Sequence, residues 1–563
     1  MKINTKRFIY FRQSFALVLG TAIAVIMMQS VAWGMNQVGM YDVWEHHVTN
    51  SKKYSNPFDY NVIELQATFT SPSGKNFNFF GFYDGNGNGG QNGDVWKLRF
   101  MPDKVGTWTY TYRWTDGTSG DSGSFQVVDT GLPGPLKVAS DNSWYFDDAR
   151  GNPFHFRGYD IHHIMLDEAR KTPNIVTELK NIKNVMNTRL IGKDYNFTMI
   201  RLSGDRKKVR SDAYGNRSFW LNTTDKKTFD ISVWRAWEDI IEHAKKSKVY
   251  VIPFSIIAQK SQYDFKTFKV FLRHFVARYS AYYNFFGWSP VWEWSDIWSA
   301  SEVSQIMMQL QRWDPFQRLL TIHDCSDTRY TGWLDFSMRQ ASLATASGKV
   351  RDVFAANSRR TGQQQGSCNA SGGVGLPFLN KPIIGSEDIW ENISGTWGQP
   401  RNRVEVRRAA WGIQMAGVMP LYSEWNNWNP GKGTASPDIR RMFDFFYSNT
   451  RYRQYKQLNH LVSKNARQIA SGKEGLEYVV YDENGGDITI DLSDAGGANT
   501  FDVLWYNPIS GSTKDGGKVN GGASRTLHSP ISGDTVLLLT RGKADTVSPK
   551  APTKLSIRSV ERF

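Results

Sequence analysis

In residues 35–135 apolar and polar residues alternate in short runs that Gly, Asn, Pro and Asp interrupt. The clearest runs read VIELQATFT, DVWKLRF, GTWTYTYRW and GSFQVV. Alternation with a period of two is typical of strands that bury one face. We therefore predict an N-terminal β-sandwich of roughly six to eight strands over this region.

A glycine-rich segment within this region, DGNGNG at residues 84–89, looks like the start of a calcium-binding loop. Such a loop needs an acid at the position that Val95 occupies. We therefore interpret the segment as a hairpin loop between two strands.

The pattern changes at about residue 150, where short apolar runs begin to alternate with helical periodicity such as SVWRAWEDIIEHAKKSK and NRVEVRRAAWGIQMAG. Eight strand-loop-helix units over residues 136–454 fit a (β/α)8 barrel better than an open doubly wound sheet. No glycine-rich dinucleotide or P-loop motif follows any strand, so we expect no nucleotide cofactor. The eight predicted strands read PFHFRGYDI, FTMIRLSGD, VYVIPFSII, WSPVWEWSD, LLTIHD, FSMRQAS, KPIIGSED and VMPLYSEWN.

Short alternating runs return in residues 455–545, among them LEYVVYDENGG, DITIDLS, TFDVLWYNPISG and DTVLLLTRG. Their NGG and NPISG turns are typical of hairpins, which predicts a second, smaller β-sandwich. Residues 546–563 are polar and basic and contain proline, so we expect a loose tail.

The first 34 residues have the pattern of a secretory signal peptide. Basic residues at the start precede an apolar run over residues 15–28, and small residues, Ala32 and Gly34, close the segment. We predict cleavage after Gly34 and a secreted or periplasmic protein with no stable membrane anchor. An uncleaved inner-membrane anchor is the alternative.

The composition narrows the range of partners. The formal net charge of +15 favours an acidic polymer such as a uronate or sulfated glycan, although a merely basic surface explains it equally well. Nucleic-acid motifs are missing, and export argues against that class of partner. The two cysteines, Cys325 and Cys368, can pair in an oxidising compartment, and no metal-ligand spacing surrounds them, so we expect no metal.

Carboxylates lie at the carboxyl ends of several of the predicted strands, the end where barrel enzymes carry their active sites. Retaining glycosidases need a carboxylic acid and a carboxylate roughly 5 Å apart. Asp296 closes the apolar run of strand four, and Glu387 closes the run of strand seven. Glu293 lies inside the run of strand four, a position suited to bracing a neighbouring strand or binding a sugar hydroxyl. Asp388 and Glu424 are further acids at strand ends.

Other strand ends carry residues suited to substrate binding. A guanidinium can hold a nucleophilic carboxylate ionised, and an aromatic ring can form the floor of a sugar subsite. Asp160 with the nearby His162 follows strand one. The remaining candidates, in chain order, are Arg201, His323, Gln340 and Trp425.

The whole pattern resembles the exported clan-A glycoside hydrolases of the apiosidase-like group, which carry a β-sandwich in front of the barrel and a collagen-binding-type sandwich behind it. The resemblance covers residues 40–543. In front it depends on YSNPFDYNVIELQATFTSPSG, GFYDG, DVWKLRFMPDKVGTWTYTY and GSFQVV, and behind on GLEYVVYDENGGDITIDLS, WYNPISG and GDTVLLL.

The resemblance also implies roles for two acids. The group's strand-four pattern of Trp followed by an acid matches Trp292 to Asp296, which implies Asp296 as general acid/base. Its strand-seven pattern matches Pro382 to Glu387, which implies Glu387 as nucleophile. Ser295 stands where the group usually has Gly or Asn. Where that residue is Asn, it often binds the sugar 2-hydroxyl. Glu293 remains a rival candidate for the general acid/base.

These observations together predict an exported retaining glycoside hydrolase that acts on a polysaccharide or oligosaccharide without any cofactor. Two alternatives stay open. The first is a non-catalytic carbohydrate-binding or adhesion protein that uses the barrel as a scaffold, and the second is a polysaccharide lyase, which the basic charge would suit.

Overall fold

The computed structural model describes residues 37–162, 164–165, 175–201, 219–222, 225–254, 264–290, 299–322, 334–339, 381–391, 402–424, 433–463 and 467–542. Within these ranges no helix has the length and apolar character needed to cross a membrane. The leader, the C-terminal tail, Cys325 and Cys368 lie outside the described residues, so the signal peptide and the disulfide stay predictions.

Eight strands form two sheets in the N-terminal region, as the period-two pattern predicts. One sheet has the order β1-β8-β7-β3-β4, and the other has the order β2-β6-β5. Their facing sides bury aromatic and aliphatic side chains such as Phe69, Leu98 and Trp108. The strands are β1 (Gln37–Gly39), β2 (Trp44–Thr49), β3 (Leu65–Thr70), β4 (Asn76–Phe80), β5 (Phe82–Tyr83), β6 (Val95–Phe100), β7 (Gly106–Trp114) and β8 (Asp121–Val128).

The glycine-rich segment after residue 84 connects β5 to β6, which pair antiparallel, so the hairpin interpretation is confirmed. Asp84 is fully buried, and its carboxylate binds Lys97 (3.0 Å) and Arg278 (2.7 Å). A short antiparallel pair, β9 (Lys137–Val138) and β10 (Phe146–Asp147), then leads into the middle region.

A strand overlaps each of the eight apolar runs of the middle region, the fourth run by Trp288 alone, and the strand pairings there are parallel. Residues 291–296 of the fourth run lie outside the described residues. Six strands make a sheet of order β13-β12-β11-β18-β17-β16, in which the first strand lies beside the last, and β14 pairs with β15. The strands are β11 (Gly158–Asp160), β12 (Phe197–Arg201), β13 (Tyr250–Phe254), β14 (Gly287–Trp288), β15 (Leu319–Leu320), β16 (Ser337–Arg339), β17 (Ile383–Glu391) and β18 (Met419–Glu424).

The parallel strands curl around one apolar interior, as in a TIM-like domain. Because side chains alternate between the two faces of a strand, every second residue faces this interior. The interior cluster includes Phe197, Met199, Tyr250, Ile252, Phe286, Leu319, Phe336, Met338, Ile384, Met419 and Leu421.

Helices surround the curled sheet: α1 (Ile175–Val185), α2 (Ile231–Lys246), α3 (Phe265–Tyr279), α4 (Ala300–Trp313), α5 (Arg403–Met415) and α6 (Ser436–Asn449). Several begin at residues that satisfy their free N–H groups. The Asp230 carboxylate accepts from Ser232 N at the start of α2, and capping boxes begin α4 at Ser299 and α5 at Asn402.

The C-terminal region is a second two-layer β unit, as predicted. Its six-stranded sheet has the order β19-β20-β21-β26-β23-β24, and a β22–β25 ribbon packs on it through Ile488 and Ile490. The strands are β19 (Lys456–Gln457), β20 (Gln468–Lys473), β21 (Glu477–Asp482), β22 (Gly485–Asp491), β23 (Thr500–Tyr506), β24 (Thr513–Asn520), β25 (Ser524–Ser532) and β26 (Thr535–Thr540).

A buried ion network joins the N-terminal sandwich to α2 and α3. Arg99 donates to Glu238 (2.6 Å) and to Glu45 (2.6 Å), and Arg278 contacts Glu238 (2.9 Å) and Asp84 (2.7 Å). Burial opposes the ionisation of Glu45, but the attraction of Arg99 outweighs it and lowers the pKa of Glu45 to about 2. This network therefore holds the sandwich and the curled sheet together at all ordinary pH values.

Arg278→Met is expected to lower the free energy of unfolding by about 3 kcal/mol, because it removes a buried cation that Asp84 and Glu238 share and leaves their carboxylates to Lys97 and Arg99. Equilibrium urea unfolding followed by tryptophan fluorescence measures the loss. Lys52→Met is the control: Lys52 is exposed and pairs with Asp116 at the surface, so its removal should change little. Equal midpoints for Arg278→Met and the wild type would contradict a stabilising role for the network.

A second buried network joins α5 and α6 to the C-terminal sandwich. Arg407 contacts Asp438 of α6 (2.9 Å) and Asp534 of the sandwich (2.7 Å). Arg403 adds a further contact with Asp438 (2.6 Å), and the Tyr481 hydroxyl donates to Asp534 (2.7 Å). The start of α6 is therefore fixed from both sides.

Candidate active site

Strand β17 is interrupted by a bulge at the position of the predicted nucleophile. Gly385 pairs with Pro420 of β18, and the next residue of β17 in register is Ile389, opposite Tyr422. Residues 386–388, including Glu387, therefore lie opposite the single residue Leu421. Bulges of this kind often lie next to active sites and redirect side chains.

The prediction that strand seven ends at Glu387 is wrong. Because the bulge absorbs the extra residues, pairing resumes at Ile389 and continues through Trp390 to Glu391. Glu387 thus lies within the carboxyl-terminal half of a longer strand and not at its junction with a loop.

Asp160 ends β11 and binds His162, as the closeness of the two residues in the sequence allows. One carboxylate oxygen of Asp160 accepts from the His162 backbone N–H (2.9 Å), and the other lies 2.5 Å from His162 Nδ1. Both side chains are buried. In the sheet, Asp160 pairs with Ser423, which pairs with Trp390, so this carboxylate–imidazole pair lies at the height of the β17 segment just beyond the bulge.

Arg201 is the last residue of β12, at the same carboxyl end of the sheet, as predicted. Five other predicted site residues lie outside the described residues, so the structure gives no distance between them and Glu387. They are Glu293, Asp296, His323, Gln340 and Trp425.

Glu424 ends β18 but lies on the side of the strand that faces the helices. Leu421 packs in the interior, whereas the Tyr422 ring contacts Tyr159 (5.5 Å between ring centroids) in the outer layer, and Glu424 shares the side of Tyr422. Burial raises the pKa of Glu424, and Glu391 adds to this, while Arg189 at 3.8 Å opposes it. The packing favours a structural role, and the predicted role in substrate binding stays a prediction.

Glu424→Gln separates these two roles. The folded-state pKa is raised, so the contribution of Glu424 to stability is present below its unfolded pKa and is lost as pH rises through the folded value. Glu424→Gln should therefore unfold at the wild-type temperature near pH 4 and about 2 °C higher at pH 7. Calorimetry at both pH values measures this, and a large rise in KM would instead support substrate binding.

Glu391 is a buried carboxylate that the sequence analysis missed. One of its oxygens accepts from Thr434 N (2.7 Å) and Thr434 Oγ1 (2.9 Å), and the other from Ala435 N (2.8 Å) and the Tyr422 hydroxyl (2.6 Å). The apolar pair Ile389 and Trp390, after the two acids, was the signal that the strand continues this far.

Solved structures with a similar fold are glycoside hydrolases. A "putative glycoside hydrolase" from Bacteroides vulgatus is 16% identical, with 90% of this chain and 99% of that chain covered and a TM-score of 0.68. A glycoside hydrolase of family 5 from the same organism is also 16% identical, with 75% and 97% covered and a TM-score of 0.55. At this identity the likeness shows the fold: a TIM-like domain with flanking β domains. A comparison with curated proteins finds no match.

Family models match three consecutive parts of the chain. Residues 37–115 match a domain of unknown function, DUF5060, and residues 458–540 match the model described as "Putative collagen-binding domain of a collagenase". Residues 140–421, half of the chain, match the model "Apiosidase-like, catalytic domain". The chain therefore belongs to the apiosidase-like family, and its family and fold are those of glycoside hydrolases.

Proposed function

We propose that this protein is an exported retaining glycoside hydrolase that cleaves glycosidic bonds in a polysaccharide. One observation carries the proposal: within an apiosidase-like catalytic domain, Glu387 lies in a bulge near the carboxyl end of a parallel strand. That end of a TIM-like sheet is where enzymes of this architecture hold their catalytic groups.

In the proposed mechanism Glu387 attacks the anomeric carbon and forms a glycosyl-enzyme, while Asp296 donates a proton to the departing oxygen. Asp296 then removes a proton from water, which attacks the same carbon and releases Glu387. The two displacements together retain the anomeric configuration. Arg201, which ends β12, is suited to bind the sugar beside the nucleophile, whereas the Asp160 carboxylate at the end of β11 is buried and holds His162.

The mechanism requires a closed (β/α)8 barrel that brings strand four opposite strand seven. Contacts beyond the six-stranded sheet support closure. A parallel bridge joins Val251 to Phe285 just before β14, and the Asp335 N–H donates to the Leu320 carbonyl between β15 and the start of β16 (2.9 Å). Closure would bring Asp296 and Glu387 roughly 5 Å apart, the separation of a retaining pair.

The substrate that we propose is an acidic polysaccharide outside the cell. The formal net charge is +15 for the whole sequence and +11 without residues 1–34, and this positive charge favours a polyanionic chain through long-range attraction. The signal-peptide pattern of residues 1–34 would direct the protein to where such polymers occur.

The test is a screen of the mature chain, residues 35–563, against a panel of uronate-containing, sulfated and neutral polysaccharides. We expect release of reducing ends from at least one acidic polymer, with the product first detected by NMR as the retained anomer. Products that absorb in the ultraviolet as unsaturated uronates would identify a lyase. Binding without the release of reducing ends would identify a non-catalytic carbohydrate-binding protein. An inverted anomer would overturn the retaining mechanism.

A further inference from the structure

Glu391 ends β17, three residues beyond the bulge, and both of its carboxylate oxygens accept hydrogen bonds. Its side chain is 1% exposed and accepts four hydrogen bonds between 2.6 and 2.9 Å. Two of the donors are backbone N–H groups, which cannot rotate away from the carboxylate. A buried carboxylate with this many fixed donors holds its own backbone position closely.

The donors belong to two different elements. The Tyr422 hydroxyl comes from β18, the neighbouring strand, whereas the Thr434 and Ala435 N–H groups lie directly before α6, a helix of 14 residues. The amino-terminal end of a helix carries partial positive charge and unpaired N–H groups, so it suits a carboxylate. Glu391 therefore ties the end of β17 to both β18 and α6.

Helix α6, whose amino-terminal end provides donors to Glu391, is itself fixed by buried ion pairs. Asp438 in the first turn of α6 is fully buried and binds Arg403 and Arg407, and Arg407 continues to Asp534 of the C-terminal sandwich. The donors of Glu391 are thus anchored to a second domain.

The hydrogen bonds of Glu391 matter for the proposed chemistry because the bulge that contains Glu387 lies just before Glu391 in β17. Residues 386–388 lie opposite one residue of β18, so regular pairing with β18 does not fix their backbone. Pairing with β18 resumes at residues 389–391, and Glu391 is the last paired residue of β17 in the part of the chain that the structure describes. If the end of the strand shifted, the bulge would shift with it.

We infer that Glu391 is a positioning residue that holds the β17 bulge and thereby the Glu387 carboxylate in its reactive place. The inference rests on the proposed function, in which Glu387 is the nucleophile. Glu391 acts through the backbone of β17 and does not touch the substrate. A displacement of the nucleophile by about 1 Å costs on the order of a hundredfold in rate.

Glu391→Gln tests the inference, because glutamine keeps the size of the side chain but turns an NH2 group towards donors that need an acceptor. The probes are the best aryl glycoside for the wild type and the matching 2-fluoro glycosyl fluoride, whose attachment to Glu387 is followed by intact-protein mass. We expect kcat and the rate of labelling to fall about a hundredfold with KM within about threefold.

Asp314→Asn is the matched control. Asp314 is also a buried carboxylate, and it accepts from Trp288 Nε1 (2.7 Å) and from Phe316 N (2.9 Å) and Arg318 N (3.2 Å). It lies before β15, at the amino end of the sheet. We expect this variant to lose thermal stability and to label at the wild-type rate, since a purely structural defect does not move the nucleophile.

Two milder variants keep the inference testable if Glu391→Gln does not fold. Tyr422→Phe and Thr434→Val each remove one hydroxyl donor and leave the backbone donors in place, and each should slow labelling severalfold. Labelling at the wild-type rate in folded Glu391→Gln, or in both milder variants, would overturn the inference while the function stands. A wild type that neither labels nor releases reducing ends would instead refute the proposed function.

Discussion

Glu387→Gln should lower the rate of hydrolysis of every substrate by roughly a thousandfold or more, with the fold unchanged. An amide cannot form the glycosyl-enzyme, so the first displacement fails whatever the leaving group is. The measurement is kcat/KM on the polysaccharide that the screen identifies and on an aryl glycoside, with the unfolding temperature recorded to show that the variant is folded.

Asp388→Asn is the control for Glu387→Gln because the two residues are neighbours within the same bulge. Both substitutions remove one negative charge from this part of β17, and only one of them should remove the nucleophile. If Asp388→Asn abolished hydrolysis and Glu387→Gln retained it, the nucleophile would be Asp388, and the role assigned to Glu387 would be wrong.

The arrangement of the fold could be predicted from the sequence because its elements follow local patterns. Strands with one buried face alternate with a period of two, and strands buried on both faces read as continuous apolar runs. Seven of the runs overlap a parallel strand by at least two residues, even where the strand is as short as Leu319–Leu320, whereas the strand Gly287–Trp288 shares only Trp288 with the fourth run. The order of the pairings then follows from the order of the runs.

The contacts between domains could not be predicted because they join charges that are far apart in the sequence. Arg99 and Glu238 are 139 residues apart, and Arg407 and Asp534 are 127 apart. Each of these side chains, seen alone, looks like an ordinary surface charge of a strand or helix. Only the packing of a sandwich against a helix reveals that both partners are buried.

The candidate site could be predicted in part. The strand ends at Asp160 and Arg201 were found because polar residues follow apolar runs there. The bulge in β17 was missed, since no residue pattern marks two extra residues in a buried strand. Glu391 was missed although the apolar pair Ile389 and Trp390 indicates that the strand continues beyond the two acids. For Glu424 a signal existed: it is two residues from the outward-facing Tyr422, so a period of two places both on the side of the helices.

Asp296→Asn is expected to slow hydrolysis by roughly a hundredfold to ten-thousandfold for substrates with poor leaving groups, since their departing oxygen needs a proton. An activated aryl glycoside needs little proton assistance, so its first displacement should survive, and the glycosyl-enzyme should accumulate because no base activates water. Added azide, which attacks without a base, should then restore turnover and give a glycosyl azide of retained configuration.

Glu293→Gln decides between the two acids that strand four offers. Glu293 lies inside the apolar run and Asp296 at its end, so Glu293→Gln should weaken substrate binding more than chemistry and show no response to azide. Azide rescue of Glu293→Gln, with Asp296→Asn close to the wild type, would move the acid/base role to Glu293. Because azide replaces only the base-activated water, its rescue reports the acid/base residue even where both variants lose activity.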